Sequence, residues 1–399
     1  MRLYTFVFVL LILMVILPDL FFYFKLKKHR AKWILLVLNF LPSAFFLSVL
    51  AIMKFSDSSE HNEGTLQFFM WMNFVFILIY LPKLVYLIFH FLNFLINLLL
   101  KEKIYMIRYA GGIVAMFIVI LLCHGAFINP RIIEVKNVQI EVENLPTAFN
   151  GYKIVQISDI HLGSWGKDFN YLKPAIDSIN QQNPDLIVFT GDMVNNFSQE
   201  MTGWQPWFNQ LKAKDGKYAI LGNHDYGDYS EWKHPQDKQT NFDSITQNIR
   251  NFGFTLLLNE NVRLQRDSAS IGLVGVENWG KPPFPRYGSL EKALMQSDAS
   301  SLKILLSHDP SHWKREVTNY PDIFLTLSGH THSAQIAFNM YGKLRSPSSL
   351  VYDEWEGLYT EGNQYLFVNR GLGFIGIPVR IGAARPEVTV IVLKSTSSD

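Results

Sequence analysis

Apolar positions fall into two regimes along this chain. Up to Ile128 they form long runs, Leu3 to Phe24, Trp33 to Met53, Thr65 to Leu100 and Tyr105 to Ile128. A hydrocarbon layer of about 30 Å is crossed by roughly 20 apolar residues in a helix, and the first, second and fourth runs meet that requirement. Runs this long and apolar on every face do not read as buried soluble helices. Thr65 to Leu100 is too long for one span, barely long enough for two with a turn, and carries Pro82-Lys83 at its middle; it reads as one span with an interfacial extension. The pattern predicts about four transmembrane helices in residues 1–128. Leu3 to Phe24 exceeds a signal-peptide core, has no small-residue cleavage site and is followed by more spans, so it is expected to persist as an anchor.

Beyond Ile128 the apolar runs become short, β-branched and bounded by Gly, Pro or Asp. Lys153 to Ser158, Leu186 to Thr190, Tyr218 to Leu221, Lys303 to Ser307 and Phe324 to Ser328 read as buried strands, with room for helices between them. Residues 129–399 are therefore expected to form one α/β domain, large enough to bury a core without disulfides. The single cysteine, Cys123, lies inside a predicted span.

Each of the five strands ends in a polar cluster: Asp159-Ile160-His161, Gly191-Asp192, Gly222-Asn223-His224-Asp225, His308 and Gly329-His330-Thr331-His332. The crevice beyond the carboxyl ends of strands is where open α/β sheets bind ligands, so these tips are expected on one rim. A spacing of two puts Asp159 with His161, and His330 with His332, on one side of an extended backbone. Carboxylate, imidazole and amide oxygen without thiolate suit Mn, Fe, Zn or Mg. A carboxylate such as Asp192 can bridge two cations about 3.5 to 4 Å apart, the spacing of two-metal hydrolases.

Taken singly, the clusters have ordinary explanations. Asp-x-His is common on surfaces, Gly-Asp ends many strands, a lone His is usually hydrogen-bonded core or loop, and Gly-Asn-His-Asp is rich in turn formers. The joint pattern carries more weight: seven of the eleven histidines follow the membrane region, and five of those seven sit in the clusters. His234 and His312 are read as exposed. Arg370, Arg380 and Arg385 are read as surface charges, with a phosphate clamp as the alternative. The proline-broken segment Glu277 to Pro285 is either a substrate lip or a packed loop.

These motifs resemble those of the calcineurin-like metallophosphoesterase superfamily, in its bacterial integral-membrane branch. The likeness runs from about Glu134 to Leu393 and includes Leu145-Pro146, Gly151-Tyr152-Lys153, Trp355 to Tyr359, Asn369 to Gly373 and Pro386-Glu387-Val388. It implies a calcineurin-like αββα sandwich behind the transmembrane region and two divalent metal ions, with manganese expected first. Asp159, His161 and His332 would hold one metal, Asn223, His308 and His330 the other, and Asp192 would bridge them. His224 would face the phosphate as a catalytic residue, oriented by Asp225, while a hydroxide held between the metals attacks phosphorus in line. The family usually follows the last histidine with two glycines and a glutamine; here the residues are Ser333-Ala334-Gln335.

Charge sorts the two regions. Of 36 basic and 34 acidic residues, 11 basic and 5 acidic lie within the first 128 positions. The remainder, with 25 and 29, is mildly acidic, which argues against nucleic acid as a partner. Lys25, Lys27, Lys28, Arg30 and Lys32 put the first loop in the cytoplasm, the loop with Asp57, Glu60 and Glu63 outside, and Lys101, Lys103 and Arg108 the third loop inside. Four spans then make a multi-pass inner-membrane protein with an extracytoplasmic catalytic domain; a second crossing within Thr65 to Leu100 would reverse the side.

The expected activity is metal-dependent hydrolysis of phosphodiester or pyrophosphate bonds in envelope lipids or lipid-linked intermediates, with the membrane as the only other partner and no protein partner expected. A UDP-diacylglucosamine pyrophosphatase working at the cytoplasmic face is the enzyme alternative. A non-catalytic membrane receptor or scaffold is the alternative of another class.

Overall fold

The computed structural model describes residues 2–55, 62–282, 284–295, 297 and 302–396, with side chains from residue 12 onward except at 53–55. The chain divides into two compact units, Met1–Glu60 with Phe69–His124, and His61–Phe68 with Gly125–Asp399.

The first unit is helical: α1 (Arg2–Leu26), α2 (Lys32–Phe55), α3 (Glu63–Leu99) and α4 (Met106–Phe127), the ends of α3 and α4 belonging to the second unit. Lys32–Ile52, Glu63–Leu99 and Met106–Arg131 are each long and apolar enough to cross a membrane. Thr65 to Leu100, ambiguous in sequence, lies almost wholly in one continuous helix of 37 residues with Pro82 inside it. At 1.5 Å per residue that helix is about 55 Å long and contains no turn, so it does not cross twice. Asp57 and Glu60 of the acidic loop, and the side chains up to Leu11, lie outside the described residues.

Within this unit Asp19 of α1 is buried against Lys83 of α3 at 2.7 Å. Lys83 also reaches Asn39 Oδ1 at 3.2 Å, and Ser43 of α2 bonds both Asp19 and, at 2.7 Å, Tyr80. Asp19 therefore sits in a buried ion pair, where Lys83 and the α2 polar residues replace the water it loses.

The second unit is built from strands β1 (Glu134–Val142), β2 (Lys153–Ile157), β3 (Leu186–Thr190), β4 (Lys217–Ile220), β5 (Thr255–Leu256), β6 (Glu260–Arg266), β7 (Ala269–Gly275), β8 (Lys303–Leu306), β9 (Ile323–Ser328), β10 (Ile336–Met340), β11 (Lys343–Arg345), β12 (Gly357–Glu361), β13 (Gln364–Val368), β14 (Ile381–Gly382) and β15 (Glu387–Ser395). One six-stranded sheet runs β1-β15-β2-β3-β4-β5, the other β12-β13-β9-β8-β7-β6, and β11-β10-β14 form a small third sheet. The five strands read from sequence are β2, β3, β4, β8 and β9, each within a residue of its expected bounds.

The two large sheets pack face to face through Ile154, Val188, Ile391, Leu273, Ile304 and Leu325. Helices cover the outer faces: Lys173–Gln181 and Pro235–Asn251 place Ile176, Ile179, Ile245 and Ile249 against the first sheet, and Leu290, Trp313 and Val317 cover the second. Alternate strand residues point to opposite faces, so strands covered on both sides must be apolar throughout; β3 and β9 are buried at every position. The resulting helix–sheet–sheet–helix sandwich brings the carboxyl ends of β2, β3 and β4 beside those of β8 and β9.

Candidate metal centre

The five polar clusters occupy the loops leaving β2, β3, β4, β8 and β9, and their side chains converge in two groups. In the first, His161 Nε2 lies 3.0 Å from His332 Nε2, His332 Nε2 lies 3.2 Å from Asp159 Oδ1, and His161 Nε2 lies 3.7 Å from Asp192 Oδ2. In the second, His308 Nε2 is 3.2 Å from Asp192 Oδ2, 3.2 Å from Asn223 Oδ1 and 3.3 Å from His330 Nδ1. Asp192 belongs to both groups.

Donors about 2.0 to 2.2 Å from one cation stand roughly 3.0 to 3.6 Å apart, so both clusters fit a divalent ion. The tautomers agree. His161 Nδ1 donates to the Val194 carbonyl at 3.1 Å and His308 Nδ1 to the Thr190 carbonyl at 2.7 Å, leaving Nε2 lone pairs facing inward. His330 points Nδ1 inward instead, with Nε2 2.8 Å from the Tyr352 hydroxyl. The Nε2 atoms of His161 and His332 stand 3.0 Å apart, a separation at which one cation could take a lone pair from each.

Charge points the same way. Burial would raise the Asp192 carboxyl, yet His308, His224 and His161 around it hold it well below the usual range. Burial would lower His308, yet the Asp192 and Asp159 carboxylates push it up to about 10. Two buried carboxylates thus demand positive charge, which divalent cations would supply in place of imidazolium protons. Burial holds His161 well below its ordinary value, the neutral state a ligand requires.

The backbone pays locally for this convergence. Asp159, His161, Asp192, His330 and His332 all have φ between 48° and 74°, the left-handed region that non-glycine residues avoid. Ser333 and Ala334 are also left-handed, at 50° and 48°, which accounts for the glycines that the family usually places there. At Gly329 a Cβ would lie 2.2 Å from Asp159 Oδ2, so the close approach of β9 to the first cluster needs glycine.

His224 is half-buried beside the first group, its ring 5.0 Å from that of His161. Its Nδ1 bonds the Asn195 carbonyl at 2.7 Å, and its backbone N–H donates to Asp192 Oδ1 at 2.9 Å. Asp225 does not orient this ring as expected. Its fully buried carboxylate accepts the backbone N–H groups of Asp192, Met193, Val194 and Gly222 at 2.8 to 3.2 Å, joining the loops that carry Asp192 and Asn223. Turn geometry after β4 sends the side chain back into its own N-terminus, away from His224.

Three other expectations are corrected. Arg370 is buried and paired to Glu387 at 2.6 Å, and Arg380 is buried and donates to the carbonyls of Gly373, Arg370 and Gly371. Neither is a surface charge or free to clamp phosphate; they brace the Asn369 to Gly373 loop, whose Leu372 and Gly373 N–H groups hold the Ser158 and Asp159 carbonyls. Arg385 is exposed. His312 is also buried, bonded to Ser307 at 2.8 Å and stacked on Trp279, whereas His234 is exposed. The Glu277 to Pro285 segment, apart from Pro283, which lies outside the described residues, reaches the site through Phe284, whose ring stands 5.0 Å from His330.

Supporting residues escaped sequence reading. Tyr229 Oη accepts from Asn223 Nδ2 at 2.7 Å, turning Asn223 Oδ1 toward His308. Glu200 accepts the N–H groups of Gly163, Asn195, Asn196 and Phe197 at 2.6 to 3.0 Å, fixing the loop whose Asn195 carbonyl holds His224. Glu200 and Tyr352 lie outside any motif; Tyr229, six residues after Asn223, is the one that proximity could have flagged.

Comparisons with known proteins agree with this geometry. Residues 152–334 match the family model of the calcineurin-like phosphoesterases. The chain is 34% identical over 281 residues to the uncharacterized metallophosphoesterase YkuE of Bacillus subtilis, covering 69% of this chain and 90% of that one. It is 30% identical over 381 residues to a transmembrane protein with metallophosphoesterase domain from Danio rerio, covering 91% and 80% respectively. An uncharacterized metallophosphoesterase of Aquifex aeolicus is 28% identical over 282 residues, 70% of this chain and 98% of that one. With its sandwich and its two-group Asp/His centre, this chain belongs to the calcineurin-like phosphoesterase family and is a hydrolase of phosphoric esters that also carries helices long and apolar enough to cross a membrane.

Proposed function

We propose that the protein is a multi-pass, membrane-anchored two-metal phosphohydrolase that cleaves phosphodiester or pyrophosphate bonds of envelope lipids or lipid-linked intermediates. The observation that carries the reading is the convergence of seven donors in two groups sharing Asp192. Asp159, His161, Asp192 and His332 would hold one divalent ion, and Asp192, Asn223, His308 and His330 the second. Bound there, the two ions would neutralise phosphoryl charge and acidify water.

The protein's own residues supply the rest. Asp192 keeps the two donor groups in register. His224, with Nδ1–H committed to the Asn195 carbonyl, presents Nε2 to the phosphate and the leaving oxygen, and as the imidazolium it would donate the Nε2 proton to that oxygen. Glu200 and Asp225 hold the loops on which these groups ride.

The lipid assignment follows from tethering: a site bound to the bilayer meets amphiphilic phosphates at far higher effective concentration than a diffusing enzyme does. The lysine and arginine distribution, with four helices of which α3 is unbroken, supports an inner-membrane protein with its catalytic unit outside the cytoplasm. The test is hydrolysis of a chromogenic phosphodiester and of phospholipid in mixed micelles by detergent-purified protein, with manganese or chelator, for wild type, Asp192→Asn and His224→Ala. Metal-dependent turnover abolished in both variants supports the enzyme, and faster cleavage of the lipid supports the substrate class. Equal rates on both substrates would refute the lipid assignment.

A further inference from the structure

In the second unit the three most exposed large apolar side chains among the described residues, Tyr341, Leu350 and Val351, lie close in sequence around one hairpin. β10 and β11 pair antiparallel, with Phe338 opposite Arg345 and Met340 opposite Lys343. Opposed residues share a face, so one face of the hairpin carries two exposed apolar side chains, each beside a basic one. The connecting turn is Tyr341-Gly342, with φ of 52° and 72°. Both residues in the left-handed region make the tight turn that favours Asn-Gly. A tyrosine there costs backbone strain, and this one is fully exposed, at 101%.

Leu350 and Val351, also exposed, follow β11 in a connection tied to the metal loop. Ser346 Oγ donates to the Ser333 carbonyl at 2.5 Å and Ser348 Oγ to the Thr331 carbonyl at 3.2 Å. The next residue, Tyr352, holds His330. The other edge of β10 pairs with β14, Ile336 against Ile381. Beside β14 lies the end of α4: Gly125 O accepts the Arg380 N–H at 2.8 Å, and Asn129 Nδ2 donates to the Arg380 carbonyl at 2.8 Å. Strands in a sheet stand about 4.8 Å apart, so the hairpin lies only a strand or two from the point where the apolar run Met106–Arg131 enters this unit. Phe127 and Ile128, at that point, are exposed too.

We propose that the β10–β11 hairpin, with Leu350 and Val351, is a membrane-contacting element that dips its apolar side chains into the headgroup layer and seats the metal loop at the lipid surface. Aromatic and aliphatic tips flanked by Lys343 and Arg345 match that layer chemically, since the rings and chains partition at the interface and the cations meet lipid phosphates. The contact stands independently of which phosphate the site cleaves.

The test uses the full chain with Cys123→Ala, a single Tyr341→Cys label bearing an environment-sensitive fluorophore, and reconstitution in nanodiscs of mixed zwitterionic and anionic lipid carrying spin-labelled acyl chains. Asp267→Cys, in the exposed turn between β6 and β7, is the control. Several-fold stronger quenching at position 341 than at 267 is expected. Equal quenching overturns the proposal, whether the hairpin is bare or covered by another protein. A Phe338→Ser, Met340→Ser, Tyr341→Ser variant separates this from the substrate question: full activity on the soluble diester shows intact folding. Selective loss on lipid then supports both readings, whereas quenching with unchanged lipid activity keeps the membrane contact and refutes only its role in lipid turnover.

Discussion

Replacing Asp225 with asparagine separates a structural role from the orienting role that the motif suggests. The carboxylate is fully buried and acceptor-only: Oδ2 takes the N–H groups of Asp192 and Gly222, both at 2.9 Å, and Oδ1 those of Met193 at 2.8 Å and Val194 at 3.2 Å. An amide keeps one oxygen and turns its NH2 against two of those donors, whichever way it flips. Each buried N–H left without a partner costs about 1–3 kcal/mol, so Asp225→Asn should lose about 4 kcal/mol, a large part of a typical 5–15 kcal/mol. For a unit of this size each kcal/mol is worth roughly 2–4 °C, which places the melting temperature of the variant about 8–16 °C below wild type. Tryptophan fluorescence melts of detergent-purified protein, with bound cation measured in parallel, read this directly. Stability and cation content should fall together, because the loops carrying Asp192 and Asn223 come apart. If kcat drops while the melting temperature stays within about 2 °C of wild type, the structural assignment is wrong and Asp225 serves His224 after all.

Tyr352→Phe removes the acceptor for His330 Nε2–H and should weaken divalent-cation affinity about 10–100-fold with little change in melting temperature, as isothermal titration would report. Glu200→Ala leaves four buried N–H groups unpaired; it should destabilise by at least about 4 kcal/mol and lower kcat through the Asn195 carbonyl, an effect absent if Glu200 only fills space. In the helical unit, Lys83→Met strands the buried Asp19 and should cost about 3–5 kcal/mol, whereas Asp19→Asn with Lys83→Met should recover most of it; thermal aggregation in detergent ranks the three. Ala334→Gly relieves a left-handed alanine and should be neutral or stabilising by up to about 1 kcal/mol, so a lower melting temperature would count against strain at that residue.

Much of the chemistry was legible because it is local. Each donor cluster follows its strand within one to five residues, and short apolar runs ending in Asp, Asn or His announce both the strand and its tip. The long apolar helices are equally local, since about 20 apolar residues in a row have few other fates. What linear order could not display are contacts between distant segments. β15, the last strand, inserts between β1 and β2, and Arg370, Arg380 and His312 look like surface residues until the loops and helices around them close. The same holds for Asp225, whose partners on the β3 loop lie some thirty residues away, and for Tyr352 and Glu200, which carry no motif. Residue type and spacing thus determined which atoms could bind metal. Only the packed sandwich decided which of them meet, which tautomers they hold and which neighbours fix them, because those depend on burial and direction that a sequence does not contain.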